Sequence, residues 1–179
     1  EDAVFFTMLL SGSNADGPTM LETTRQLFNT TDGTKASANA AITPAAVAKG
    51  YEALRTRKGV GADGTYLALT PSILLTGPAK EFEAAQLLAP IQAAQASNVN
   101  PYVGKLQQVT APHITGNAWY MLASPAEAPI LMYGFLSGES GPRMRMDEPF
   151  GVQGIGYSVE EDFGCGATDW RGGFKNAGA

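Results

Sequence analysis

The sequence predicts a mixed α+β chain, with helices early and strands mostly late rather than a regular alternation of the two. Three observations carry that reading. Helix caps and stripes concentrate before residue 90, and alternating apolar and polar runs follow residue 100. The 21 glycines and 11 prolines among 179 residues keep the elements short. Hydrophobic residues make up 44% of the chain and charged residues only 16%, against roughly 25% charge in typical soluble domains. A sizeable core with few surface ion pairs follows, and intrinsic disorder is excluded.

Residues 1–10 read as the end of a helix, with Val4, Phe5, Met8 and Leu9 on one face and Ser11-Gly12-Ser13-Asn14 stopping it. Residues 11–41 read as a long surface loop with an apolar island at Leu27-Phe28 and one helical turn near Thr19–Gln26. Thr43 is an N-cap and Pro44 fits the first helical position. Val47, Tyr51 and Leu54 form a stripe, the cations Arg55, Arg57 and Lys58 suit the C-terminus, and Gly59 ends the helix. A turn at Gly59–Gly64 leads to a strand at Leu67–Leu75, broken by Thr70-Pro71. Pro78–Leu88 is a second helix with Phe82, Ala85 and Leu88 inward.

After Asn100-Pro101, Lys105–Val109 and Ala118–Leu122 read as strands. Pro125 and Pro129 mark a composition shift. Ile130–Phe135, Arg143–Met146 and the alternating run Tyr157–Phe163 are strand-like, and a polar tail follows Thr168–Gly172. No internal repeat is visible.

The formal charge of −5 argues against sequence-specific nucleic-acid binding, which draws most of its affinity from a basic face. The single Cys165 cannot form an internal disulfide or a cysteine-based zinc site, and it fits a reducing compartment. Ala3–Leu10 is too short to span a bilayer and follows Glu1 and Asp2 rather than basic residues, so neither a membrane span nor a secretory signal is expected. Asn29-Thr30-Thr31 matches the glycosylation pattern by coincidence. The immediate start on an apolar helical face leads to the expectation of a C-terminal part of a longer product.

Several motifs tempt and fail. Gly59-Val60-Gly61-Ala62-Asp63-Gly64 spells a dinucleotide-binding pattern, but it follows a helix and precedes a strand, the reverse of the order that aims a helix N-terminus at a pyrophosphate. Asp162-Phe163-Gly164 matches a kinase triplet without the catalytic loop that should accompany it. His113, the only histidine, has no serine elbow to serve; Ser140 comes closest, with Gly141 one position early. Cys165 lies between Gly164 and Gly166 with no nearby cation in sequence to lower its pKa. Glu160, Glu161 and Asp162, adjacent on an alternating strand, cannot converge on one ion, and Asp147-Glu148 reads as a second solvated edge. No catalytic, cofactor or metal constellation emerges.

The last stretch, Asp162-Phe163-Gly164-Cys165-Gly166-Ala167-Thr168-Asp169-Trp170-Arg171-Gly172 with Lys175-Asn176-Ala177-Gly178-Ala179, is similar to the C-terminal signature of tailed-phage and prophage major capsid proteins, including the Mu-like major head subunit and the family encoded behind a prohead protease. Thr70-Pro71-Ser72-Ile73-Leu74-Leu75 with Glu81-Phe82-Glu83-Ala84-Ala85, Asn100-Pro101-Tyr102-Val103-Gly104-Lys105-Leu106 and Ala118-Trp119-Tyr120-Met121-Leu122 resemble further segments of that family in order. Asn29-Thr30-Thr31-Asp32 and Cys165 depart from it, where the family often has a histidine-containing segment and a larger aliphatic residue.

The resemblance implies the Hong Kong 97-type capsid fold: a spine-helix peripheral domain plus an axial domain with a central mixed sheet flanked by helices. It implies a peripheral domain at 1–17 and 128–165, a connecting loop at 18–35 and an axial domain at 36–127 and 166–179, with the N-terminal arm and extended loop absent. The implied function is a non-enzymatic structural head subunit that assembles with itself into pentamers and hexamers of an icosahedral shell. It needs no cofactor, is built in the bacterial host cytoplasm, and can meet an upstream protease or scaffold segment during assembly. Trp170 and Arg171 are the candidate subunit contacts, because aromatic and Arg side chains dominate many interfaces. Two other classes stand beside this reading: a small hydrolase using Cys165 or His113, and a ligand-binding module using the Gly59–Gly64 turn.

Overall fold

The computed structural model describes residues 1–59, 64–89, 101–138, 141–148, 150–151 and 153–179. Among them are three α-helices, α1 (Asp2–Leu9), α2 (Pro44–Arg55) and α3 (Glu81–Leu88). Eight strands follow the same numbering: β1 (Pro71–Thr76), β2 (Gln107–Thr110), β3 (Trp119–Ala123), β4 (Leu131–Phe135), β5 (Arg143–Asp147), β6 (Gly156–Glu160), β7 (Phe163–Ala167) and β8 (Gly173–Asn176).

Four strands make a mixed sheet in the order β2-β1-β3-β8, with β1 and β2 parallel and the other pairs antiparallel. Register sorts the side chains. Leu74, Met121 and Phe174 align on one face, and Leu75, Tyr120 and Lys175 on the other. The first face packs under α2 and α3 with Ile42, Ala46, Val47, Leu54, Ala84 and Trp119. The second packs under the end of α1 and the segment after it, through Leu9, Met20, Leu27 and Phe28, with Ile114 and Ile130. Covered on both sides, β3 reads as a continuous apolar run rather than an alternating one.

Helix α2 forms as its sequence predicts. The Thr43 hydroxyl accepts from the Ala46 N–H at 3.2 Å, Pro44 opens the helix, and Val47 and Leu54 are fully buried. Gly50 lets the helix lie close to the sheet: a Cβ there would sit 2.5 Å from the sulfur of Met121.

Several sequence expectations need correction. The turn expected at Thr19–Gln26 holds one helical-type bond, from the Thr24 N–H to the Met20 carbonyl at 2.8 Å, inside a tight reversal closed by a Thr19–Gln26 bridge, with Thr24 at φ +54°. Leu27 and Phe28 are central core residues and not a loop island. The strand expected from Leu67 begins only at Pro71, because Ala68 takes φ +51° and the Thr70 N–H turns aside to the Glu127 carboxylate at 3.0 Å. In the second helix a 3₁₀ turn over Pro78–Lys80 precedes α3, and the buried stripe is Ala84, Leu87 and Leu88; Phe82 and Ala85 face out, Phe82 being 77% exposed. The polar tail is strand β8, buried along its whole length against β3.

The run Tyr157–Phe163 is also two strands, β6 and β7, separated by Glu161-Asp162. With β4 and β5 they form two successive two-stranded ribbons, here called the arm: β4 pairs β7 and β5 pairs β6. Of the motif residues, 60–63, Asn100 and Ser140 lie outside the described residues; the flanks of the first are joined by a Lys58–Tyr66 bridge.

Candidate functional site

Trp170 and Arg171 sit in the turn that leads into β8, and the fold draws both inward. The Arg171 guanidinium grips Glu22 with two bonds, 2.6 Å to Oε1 and 3.1 Å to Oε2, and reaches Asp169 at 3.0 Å. Those bonds hold the Glu22 carboxyl below the usual glutamate range. The indole of Trp170 carries two guanidinium contacts, Arg171 at 4.5 Å from the ring centroid and Arg57 at 5.5 Å. Arg57 is buried and donates to the carbonyls of Asp32, Gly33 and Gly173, and burial pulls its pKa down to about 10. Asp32 in turn pairs with Arg25. The turn before β8 is thereby riveted to residues 22–33.

A second buried cluster lies under β8, on the sheet face that Lys175 shares with Tyr120. The Lys175 ammonium, 1% exposed, donates to the carbonyls of Asn14 and Ala15 at 2.8 and 2.7 Å and to Asp16 Oδ1 at 2.8 Å. Lys35 takes the other Asp16 oxygen at 2.6 Å. Burial lowers the Lys175 pKa, while the ion pair opposes that fall. Tyr120 lies beneath the ammonium, 5.6 Å away, and burial pushes its phenol up to about 12. Sequence reasoning missed Asp16, Lys35, Arg57 and Lys175 as a group. Their only signal is the presence of charged residues in apolar or glycine-rich neighbourhoods, which does not reveal partners over a hundred residues apart.

The surface feature that stands out is the arm. In β5 and β6 the register pairs Met144 with Val159 and Met146 with Tyr157, so all four share one face. Each is 63–68% exposed. The other face carries Arg143, Arg145 and Glu160, with Arg143 bonded to Asp162 at 2.6 Å and Arg145 only 3.5 Å from Glu160. At the base of the arm, α1 and the β4–β7 pair enclose an aromatic cleft of about 460 Å³, lined by Phe5, Phe6, Tyr133, Phe135 and Phe163. Glu1 and Asp2 stand on its rim, and a hydrogen bond with Glu161 raises the Glu1 pKa.

His113 is exposed and stacks on Phe6, 5.1 Å between centroids. Cys165 lies on β7 opposite Tyr133. Neither is hydrogen-bonded to an acid or base among the described residues, so the hydrolase alternative finds no support. Glu160, Glu161 and Asp162 point to three different partners, Arg145, Glu1 and Arg143. Among the described residues no group of three or more His, Cys, Asp or Glu side chains could hold a metal ion, and no helix is long and apolar enough to cross a membrane.

No curated protein matches the sequence. The family profile described as phage capsid protein matches residues 1–176, nearly the whole length of this chain. The mixed α+β architecture is compatible with a capsid fold, and a structural role in the virion capsid follows from the match. The chain belongs to the phage capsid protein family.

Proposed function

We propose that the chain is the major head subunit of a tailed-phage or prophage shell of the Hong Kong 97 type, assembling with itself into pentameric and hexameric capsomers. The observation that carries this reading is the exposed apolar face of β5 and β6. A two-stranded ribbon is marginal in water on its own, and an uncovered face of Met144, Met146, Tyr157 and Val159 calls for a protein surface to cover it. Low charge density suits such contact, since the buried centre of an interface is depleted of charge.

In this reading residues 1–17 and 128–165 form the peripheral domain, 18–35 the connection, and 36–127 with 166–179 the axial domain. The mixed sheet then belongs to the axial part and the arm to the peripheral part. Trp170 is a candidate contact between copies, with Arg171 shaping it from below through Glu22. The chain acts without enzymatic chemistry or cofactor, in the host cytoplasm during assembly and in the virion afterwards, and can meet a protease or scaffold segment during assembly. Expression together with any coding sequence that precedes Glu1, followed by negative-stain electron microscopy, tests it. Uniform shells or five- and six-fold rings are expected; a folded, monodisperse monomer at high concentration overturns it.

A further inference from the structure

We propose that the cleft between α1 and the β4–β7 ribbon binds a small organic ammonium ion, one with an alkyl body and a positively charged head. Such binding requires no second copy of the chain. Two sets of rings line the open volume of about 460 Å³. Phe5 and Phe6 come from α1, with centroids 5.6 Å apart and planes at 83°. Tyr133, Phe135 and Phe163 share one face of the ribbon, where Tyr133 and Phe135 stand 6.0 Å apart at 84°. A cation is drawn to the electron-rich face of an aromatic ring, and rings set at right angles offer such faces from more than one side. The volume suits a small molecule, since ligand sites span roughly 300–1,000 Å³.

Charge decides what kind of molecule. The remaining lining residues are Glu1 and Asp2, and among the described residues no Lys, Arg or His lines the cleft. Glu1 is hydrogen-bonded to Glu161, which stands outside the lining, so three carboxyls gather at this end of α1. None of the three is ion-paired to a side chain among the described residues. The helix N-terminus and the α-amino group of Glu1 both favour an ionised carboxyl there, yet the Glu1 pKa is raised, with the Glu161 hydrogen bond as the largest cause. A positive ligand relieves that crowding; a neutral apolar one leaves the carboxyls unanswered, and an anion is repelled. Elsewhere the chain supplies its own cations to its rings: Lys58 lies 5.6 Å over Tyr66, and Lys105 5.9 Å over Tyr102. The cleft has the rings and the carboxylates without such a cation among the described residues.

The test is a nuclear magnetic resonance titration of isotope-labelled protein, expressed with any sequence that precedes Glu1 so that no free α-amino group competes. The probes are choline chloride and its neutral analogue, with a tert-butyl group in place of the trimethylammonium. The amide signals of residues 2–6, 133–135 and 163 are expected to shift saturably with choline, which should bind at least about tenfold more tightly than the analogue. Sodium chloride at equal concentration is expected to leave them in place. Tyr133→Leu removes a ring and Asp2→Asn a charge, both at exposed positions. Each is expected to weaken choline at least about threefold, with little change for the analogue. Should Tyr133→Leu lose the parent spectrum, Asp2→Asn and the two probes on the parent protein still decide. Equal affinity for choline and the analogue overturns the proposal and leaves an apolar pocket. No saturable shift at these residues, or undiminished choline binding by Asp2→Asn, also overturns it. The same shifts on raising the protein concentration alone, reversed by choline, would give the cleft to a side chain of a neighbouring copy and overturn the free-ligand reading.

Discussion

Lys175 in strand β8 and Asp16 in the segment after α1 meet 2.8 Å apart in the interior, across 159 positions of sequence. The ammonium spends its three donors on Asp16 and on two backbone carbonyls, so it is satisfied as a charged group despite its burial. This pair holds the segment that covers one face of the sheet onto the last strand of that sheet.

Replacing Lys175 by Met keeps the length of the side chain and removes the charge. Asp16 retains Lys35, but the carbonyls of Asn14 and Ala15 lose their donor. Breaking a buried pair from one side costs about 3–5 kcal/mol. Urea denaturation should report a loss of that order, and a loss below about 1 kcal/mol would show that the pair is not what holds the segment.

Acid should loosen the contact between residues 22–33 and the turn before β8 first. Glu22 and Asp32 both titrate below their ordinary values, pulled down by hydrogen bonds from Arg171 and Arg25 respectively. A carboxyl whose folded pKa is depressed contributes stability that is present above the unfolded value and lost as pH falls through the folded one. Stability should therefore decline on acidification below about pH 4.5. In the double variant Glu22→Gln, Asp32→Asn that decline should be shallower in thermal melts; parallel curves would contradict the assignment.

Gly77 ends β1 where the loop carrying Ile114 passes directly over it. A Cβ at that position would lie 2.2 Å from the Ile114 carbonyl oxygen, which is backbone and cannot swing away. Gly77→Ala should cost about 1–3 kcal/mol by overpacking. An unchanged melting temperature would mean that this crossing is looser than described.

The Thr43 cap offers a calibrated comparison. Removing an N-cap hydroxyl typically costs about 1 kcal/mol, so Thr43→Ala should fall well short of Lys175→Met in the same denaturation assay. Equal losses from the two would contradict the greater weight given to the buried cluster.

How much of this was legible in the sequence depends on whether the signal is local. Helix α2 was readable because its cap, its proline and its stripe all lie within twelve residues. The alternation in β5 and β6 was readable too, but not that both strands would leave their apolar face open, because alternation says which residues share a face and not what covers it. Strand β8 looked like a polar tail: Gly-Phe-Lys-Asn has no period, and its lysine is buried only because Asp16 waits for it. Phe82 misled the reading of α3, since its size suggested the core, whereas that helix packs closely through Ala84. Trp170 and Arg171 were singled out as surface anchors, and their ties to Arg57 and Glu22, residues over a hundred positions away, could not be read from composition.

Trp170→Ala separates the two roles that this residue can have. As a platform for Arg57 and Arg171 alone, its loss should lower the unfolding midpoint and leave assembly of the surviving folded protein unchanged. As a contact between copies, its loss should raise the concentration needed for assembly at least tenfold at a temperature where the variant is fully folded. Sedimentation velocity across a concentration series reads the difference.

The central claim is that the uncovered face of the arm drives assembly, and one comparison tests it most directly. Negative-stain electron microscopy of the parent protein beside Met144→Glu, Val159→Lys, both expressed with any sequence that precedes Glu1, should show shells or capsomer rings for the parent and folded monomers for the variant. Rings or shells of equal number and form from both proteins would contradict it.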